Sequence, residues 1–217
     1  MKPRVLISAI NTGQVTKQVA QTMVRLSHDE RVDSLLIWPT VTPYVGSLHK
    51  CIRQVLRDGF DFWITMDHDN PPINNPLDLV FLDLPVVGLP TPVWASATEP
   101  GDRPWYLNAV DWVEEDQGFR PVQDRPGRLP EDAGLVKCDA VGSGCMVIAR
   151  RVLEAIKAPF HRTWDEDGVV EIGGDYSFGL RCREAGIPVY AHFDYPCEHH
   201  IRVPARESIM AFQREVS

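Results

Sequence analysis

The stretch Phe60-Asp61-Phe62-Trp63-Ile64-Thr65-Met66-Asp67-His68-Asp69-Asn70-Pro71 carries the reading of the whole chain. Phe60 to Met66 is rich in aromatic and β-branched residues and predicts a strand. It runs without a spacer into two carboxylates one residue apart, Asp67 and Asp69. In an open parallel sheet, ligands bind beyond the carboxyl ends of the strands, so both acids fall where a site is expected. Asp-x-Asp in that place can hold a hard divalent cation, which prefers oxygen ligands. The same residue types also make a solvated turn.

Upstream, apolar runs alternate with helical spacings. Arg4 to Ile10 predicts a first buried strand, and Asn11 or Thr12 can cap a helix in which Val15, Val19, Met23 and Leu26 recur. Ser34 to Trp38 predicts a second strand, stopped by Pro39. Val45, Leu48, Ile52, Val55 and Leu56 predict a second helix, ended at Asp58-Gly59. Downstream, Pro76 to Leu84 predicts a helix and Val86 to Leu89 a strand. Such alternation predicts an α/β fold, a parallel sheet with helices on both faces. Residues 98–134 are rich in Pro, Gly, Asp and Glu, with isolated aromatics at Trp105, Tyr106, Trp112 and Phe119, and predict a variable binding loop or lid. Those aromatics and Trp94 would either stack on a ligand or pin the loop to the body. Beyond it, Val136 to Ala140 and Cys145 to Ala149 predict strand and Arg150 to Lys157 a short helix. Asp175 to Ala185 predicts a helix ended by Gly186, Val189 to Phe193 a last strand, and Pro204 to Val216 a helical tail.

Composition bounds the function. With 217 residues, 44% hydrophobic and 24% charged, the chain is an ordinary globular domain rather than a fibre, coiled coil or disordered tract. Lys+Arg is 22 against Asp+Glu 30, a net charge of −8. Such a chain is a poor general binder of nucleic acid. An anionic substrate would need a metal or a few well-placed arginines. No stretch reaches the roughly 18 apolar residues of a membrane span, and the apolar run at the N-terminus is too short for a signal peptide. Five cysteines without a Cys-x-x-Cys pair suggest a reducing, cytoplasmic setting and no zinc ribbon.

Three further stretches carry chemistry. In Val141-Gly142-Ser143-Gly144-Cys145-Met146-Val147-Ile148, two glycines flank a serine, either letting backbone N–H groups approach a ligand or marking a tight bend. The spacing fits neither a dinucleotide fingerprint nor a P-loop. In Gly173-Gly174-Asp175-Tyr176-Ser177-Phe178, Asp175 sits at a helix start, as an N-cap or as a carboxylate base at the lip of a cleft. Cys197-Glu198-His199-His200 follows the last strand and offers a third metal ligand beside the two carboxylates.

In this order these four stretches resemble the GT-A glycosyltransferases, especially small bacterial and phage members of the family-2 type. The pattern is a nucleotide-binding βαβαβ half, Asp-x-Asp after a strand, a Gly-x-Gly segment before an apolar strand ending at Arg150, a Gly-Asp-x-x-Phe helix start and a late Cys-x-His, over roughly residues 3 to 202. The resemblance implies a single GT-A domain over 1–217 with a mixed, mainly parallel sheet. Residues 1–97 would be the nucleotide half, 98–134 the variable loop and 135–217 the acceptor half. It implies transfer of a sugar from a nucleotide-diphosphate donor, UDP favoured, to an acceptor hydroxyl, with inversion. Asp67, Asp69 and His199 would hold Mn²⁺ or Mg²⁺, and Asp175 would be the general base. Ser8, Ala9, Asn11, Asp67, His68, Gly142, Ser143 and Gly144 would contact the donor, and Arg202, with Arg206, would grip the diphosphate.

The chain departs from many relatives: Leu48-His49-Lys50 stands where they carry Arg-Asn, Gly174 where they carry Glu, and His200 rivals His199. A glycan, a protein side chain or a modified nucleic-acid base are all candidate acceptors. Other functions fit less well. A phosphohydrolase of the haloacid-dehalogenase kind puts its Asp-x-Asp on the first strand, and Pro71 stands where it wants Thr or Val. A nucleotidyltransferase wants a basic Gly-rich loop after the first strand, and Ser8 to Gly13 has none. A non-catalytic sugar- or partner-binding protein on a transferase-like fold is the remaining alternative.

Overall fold

Runs that are apolar at every position must be covered on both faces, and they become the central strands. In this computed structural model, which describes residues 1–11, 13–40, 43–94, 105–122, 134–168 and 170–200, β1 (Arg4–Ile10) buries six of its seven residues. It is followed by α1 (Lys17–Ser27), β2 (Asp33–Ile37), α2 (Tyr44–Asp58), β3 (Phe62–Asp67), a 3₁₀ helix over Pro76–Leu82 and β4 (Val86–Gly88). The middle holds β5 (Pro92–Trp94), β6 (Trp105–Leu107), β7 (Ala109–Val113), β8 (Gly118–Pro121), β9 (Leu135–Cys138) and β10 (Ala140–Val141). Then come β11 (Cys145–Ala149), α3 (Arg150–Ala155), β12 (Thr163–Trp164), β13 (Val170–Ile172), α4 (Gly174–Glu184) and β14 (Val189–His192).

Seven strands form the central sheet in the order β2-β1-β3-β11-β4-β14-β9. Five of the seven run the same way, and β11 and β9 run against them. The fold is therefore mixed α/β with a mainly parallel sheet flanked by helices. The alternation of the first half is observed, with one change. β11 lies between β3 and β4, pairing Cys145 with Met66 on one side and Met146 with Gly88 on the other.

Each helix presents one apolar stripe to the sheet. α1 buries Val19, Met23 and Leu26, and the Thr16 hydroxyl caps its start by accepting from the Val19 N–H. α2 buries Leu48, Cys51, Ile52 and Val55, and Gly59 ends it in the left-handed conformation at φ 72°. Trp63 meets Phe160 edge-on at 6.0 Å, and Phe160 stacks on Phe178 of α4 at 4.6 Å, tying α4 to the sheet.

Two sequence expectations change. Pro76 to Leu84 predicts an α-helix, and a 3₁₀ helix forms instead, capped by Asn75 and stopped by Asp83 at φ 49°. Leu84 precedes Pro85, which disfavours a helical continuation. The stretch 98–134 predicts a loop, yet its described residues are largely strand. β6 pairs with β5, and β7 pairs with β8 and β10 as a small second sheet. Trp112 packs on Phe119 and Phe119 on Tyr176 of α4, so these aromatics fasten the small sheet to the body. The tail Pro204 to Val216 lies outside the described residues, among which no helix is long and apolar enough to cross a membrane.

Val141 of β10 lies directly over Gly88 of β4: a Cβ added at Gly88 would fall 2.1 Å from Val141 Cγ1 and 2.8 Å from its Cβ. No rotamer of Val141 clears that overlap, because its own Cβ is also too close. Gly88→Ala should therefore destabilise the protein by about 1–3 kcal/mol, read as a fall in the urea midpoint. An unchanged midpoint would mean that β10 does not sit on β4.

Candidate active site

A cleft of about 290 Å³ opens at the carboxyl ends of β1 and β3. Because β11 is antiparallel, its first residues arrive where β3 ends, and the Asp67 N–H donates to the Gly144 carbonyl at 2.8 Å. The Gly-Ser-Gly turn is thereby placed beside the Asp-x-Asp. The helix start at Gly173 brings in Asp175 from a third element. Asp67, His68, Asp69, Ser143, Gly144, Asp175, Asn11 and His199 all line this one cleft.

The segment 196–200 is stitched in by backbone bonds. Cys197 N–H donates to the Pro90 carbonyl at 2.9 Å, Glu198 N–H to Pro71 at 3.0 Å and His200 N–H to Asp69 at 2.9 Å. This separates the two histidines. His200 Nε2 lies 2.5 Å from Glu198 Oε2, and His200 does not line the cleft. His199 turns into the cleft, with Nδ1 3.0 Å from the Pro92 carbonyl. A carbonyl can only accept, so Nδ1 carries a proton; in the neutral imidazole this leaves the lone pair on Nε2.

Not every expected donor contact lines the cleft. Ser8 and Ala9 are fully buried, because β1 runs two residues beyond Ser8. The Ser8 hydroxyl accepts from Trp63 Nε1 at 2.9 Å, inside the body, and Ile10 and Asn11 take the cleft edge instead. Gly142 is not a lining residue either. The Asn108 side chain occupies the space where its Cβ would be, with Nδ2 1.8 Å from that position. Glycine is needed there for packing. Gly144 does line the cleft, and a Cβ on it would meet Thr91 Oγ1 at 2.4 Å. Arg202 and Arg206 lie outside the described residues.

Four polar lining residues escape the sequence reading: Tyr44, Asn70, Thr91 and Asn108. The Tyr44 hydroxyl, at the first residue of α2, donates to Asp67 Oδ1 and lies 3.5 Å from Ser143 Oγ, bridging two walls. Its position was open to deduction, since a helix that follows a parallel strand returns from the carboxyl edge of the sheet. Asn108 Oδ1 accepts from Thr91 N–H at 2.8 Å and Asn108 O from Gly142 N–H at 2.9 Å, bracing β4, β7 and the glycine turn. Thr91 Oγ1 is buried without a hydrogen-bond partner and borders the cleft.

The electrostatics are one-sided. Three carboxylates and two histidines line the cleft, with no Lys or Arg among the described lining residues. Burial pushes the Asp67 carboxyl up from 3.8 to about 8; the Tyr44 hydrogen bond opposes this, and the nearby charges of Asp69 and Asp175 add to it. Burial and Asp67 likewise raise the Tyr44 phenol, which keeps it a donor.

The residue types suit a divalent cation, but the described residues as placed in this structure do not form a site for one. Asp67 and Asp69 offer hard oxygens, His199 offers the free Nε2, and an added positive charge relieves the mutual repulsion of the acids. Among the described residues no three His, Cys, Asp or Glu side chains yet converge on one point. Joint coordination by these three therefore requires side-chain rotation.

No protein-family model matches the chain and no curated protein matches it. Solved structures do. The A197 protein from STIV is 16% identical with a TM-score of 0.57, over 92% of this chain and 86% of that one, which is a likeness of fold alone. A CMP:2-keto-3-deoxy-manno-octonic acid synthetase complexed with CTP gives 15% identity and a TM-score of 0.47, over the whole of both chains. Apo UDP-glucose pyrophosphorylase gives 8% and 0.43, over 91% of this chain and 92% of that one.

The Asp67 carboxyl generates a stability prediction. Its folded value of about 8 exceeds the ordinary 3.8, so between those limits the unfolded chain sheds a proton that the folded chain keeps. Stability from this group is intact at low pH and is lost as pH rises towards 8. Asp67→Asn removes that dependence. Its melting temperature should gain on the native protein between pH 5 and pH 8, by about 2–4 °C for each kcal/mol relieved. Parallel melting curves across that range would contradict the assignment.

Proposed function

We propose that this chain is a metal-dependent glycosyltransferase, moving a sugar from a nucleotide-diphosphate donor, UDP favoured, to an acceptor hydroxyl with inversion. The observation that carries this reading is the charge of the cleft. Asp67, Asp69 and Asp175 face each other at the carboxyl edge of the sheet with no described cationic side chain lining the cleft. Such a site repels a diphosphate unless a cation enters with it. The fold and the order of the four sequence stretches support the same reading.

Asp69, Asp67 and His199 would hold the cation, Mn²⁺ or Mg²⁺, whose charge neutralises the leaving diphosphate. Asn11, at the end of β1, is fixed by its own turn, accepting from Gly13 N–H at 2.9 Å, and offers an edge for the nucleoside. Ser143 and Gly144 line the sugar side. Asp175 stands in the first turn of α4 and takes the proton of the acceptor hydroxyl. That oxygen attacks the anomeric carbon, the bond from this carbon to the diphosphate oxygen breaks, and the electron pair leaves with the diphosphate. Tyr44 fixes the Asp67 carboxylate and Ser143 relative to one another while this occurs.

Calorimetric titration with UDP-, GDP-, CDP- and dTDP-sugars, with and without Mn²⁺, tests the reading. One nucleotide should bind, and only with the metal. Asp69→Ala should abolish the Mn²⁺-dependent part; affinity that survives it would place the metal elsewhere. Asp175→Asn keeps the shape and deletes the base, so donor affinity should persist while transfer falls by roughly 10²–10⁴-fold. Near-native transfer by that variant would reassign the base. Donor binding with neither transfer nor donor hydrolysis would favour a binding protein on a transferase-like fold.

A further inference from the structure

Thr91 stands between two prolines, in Leu89-Pro90-Thr91-Pro92. The proline rings fix their own φ, and a residue before proline is confined to extended conformations. Hydrogen bonds hold the rest of this backbone. Thr91 N–H donates to Asn108 Oδ1 at 2.8 Å, and the Thr91 carbonyl accepts from Asn108 N–H at 3.0 Å. The flanking carbonyls are taken too, Pro90 by Cys197 N–H at 2.9 Å and Pro92 by His199 Nδ1 at 3.0 Å. The freedom left to this residue is its χ1. Its hydroxyl, however, has no partner: Thr91 is 2% exposed, Oγ1 is sealed from solvent, and no described group bonds to it. Such a group costs folding stability, and valine would fill nearly the same space without that cost. The hydroxyl lies against Gly144, with the Asn70 carboxamide beside it. A Cβ at Gly144 would fall 2.4 Å from Thr91 Oγ1 and 3.2 Å from Asn70 Cγ. Asn70 is 4% exposed and gives Nδ2 to the Glu198 carbonyl at 3.3 Å, which leaves Oδ1 as an acceptor. Thr91, Asn70 and Gly144 all line the candidate active site.

We propose that Thr91, with Asn70 beside it, selects the transferred sugar by hydrogen bonding to one of its hydroxyls, and that this sugar is a neutral one. The inference rests on the glycosyltransferase reading and adds the class of sugar to it. A threonine hydroxyl both donates and accepts, as a sugar hydroxyl does, and the Asn70 oxygen accepts next to it. A turn about χ1 brings Oγ1 out of its packing against Gly144 towards a molecule in the cleft, while the Pro-Thr-Pro backbone stays fixed and positions the contact. Gly144 has no side chain to separate Thr91 from Asn70, so both stay within reach of one hydroxyl. A site built to bond a hydroxyl discriminates against a ligand that lacks it, because its own polar group is then left unpaired. The neutrality follows from charge. A cation entering with the diphosphate is spent on it, and no Lys or Arg among the described lining residues is left to face a second anionic group beside Asp67, Asp69 and Asp175.

Titration calorimetry of the full chain in Mn²⁺ tests it, with UDP, UDP-glucose, UDP-galactose and UDP-glucuronate as the probes. One of the two neutral donors should bind at least about threefold more tightly than UDP, and UDP-glucuronate no more tightly than UDP. Thr91→Val should leave the affinity for UDP unchanged and erase the advantage of the neutral donor. Thr91→Ser, which keeps the hydroxyl, should retain it. The ligand-free Thr91→Val protein should melt at or above the native temperature, since an unpaired buried hydroxyl has been removed. A lower melting temperature would show that the fold itself satisfies the hydroxyl, by a buried water for instance, and would overturn the proposal. So would a sugar advantage that survives Thr91→Val, its loss in Thr91→Ser, or UDP-glucuronate bound as tightly as the neutral donor. If UDP itself does not bind, the reading of the cleft as a UDP-sugar site falls and this inference with it. If UDP binds and neither neutral sugar adds affinity, only this inference falls.

Discussion

One backbone hydrogen bond, from Asp67 N–H to the Gly144 carbonyl, joins the two halves of the site. It exists because β11 enters the sheet antiparallel between β3 and β4. A parallel strand in that slot would deliver its carboxyl end to the cleft and carry the Gly-Ser-Gly turn to the opposite edge, some 15 Å or more away for a five-residue strand. The register matters as much as the direction. Cys145 pairs with Met66, and a slip by one residue would turn every β11 side chain to the other face. Five consecutive buried residues in β11 make such a slip costly, since both faces are committed to packing.

That pairing also decides the electrostatic character of the cleft. The strand that carries Asp67 is interior to the sheet, so its carboxylate is shielded by β1 and β11 on either side and by Tyr44 above. Asp69 and Asp175 arrive from different elements but face the same small volume. Mutual repulsion among acids costs folding free energy, and no Lys or Arg in the described lining offsets it. Proteins retain such arrangements where a bound cation or a proton transfer needs them. The single phenolic donor of Tyr44 relieves one carboxylate and leaves the remaining lone pairs facing the cleft.

How far the sequence spoke depended on whether a residue's role was local. The strands β1, β3 and β11 were legible because unbroken apolar runs have few other uses, and Asp67, Asp69 and Asp175 were legible as cleft candidates because each sits at or just beyond a strand end or at a helix start. Between His199 and His200 the sequence offered no choice; the bonds of 197–200 to Pro90, Pro71 and Asp69 make it. Ser8 was misplaced because strand length is invisible to an apolar count: β1 continues through Ile10, and the Ser8 side chain points at Trp63. The three- to five-residue strands between Trp105 and Pro121 were hidden by their polar turns and too few alternations to register a period.

Gly142, Asn108 and Gly88 show why glycine motifs mislead when read one at a time. Each glycine in the Gly-Ser-Gly turn invites the idea of a ligand pressed against bare backbone. At Gly142 the bare backbone faces the Asn108 carboxamide, which spends its oxygen on Thr91 N–H while its backbone carbonyl accepts from Gly142 N–H. At Gly88 it faces Val141. These close approaches hold β10 down on β4, and β10 leads directly into Ser143 and Gly144. The glycines that touch no ligand therefore aim the residues that face the cleft. Only Gly144 combines both duties, filling against Thr91 and opening onto the acids, which makes the short turn a rigid wall of the site rather than a flexible flap.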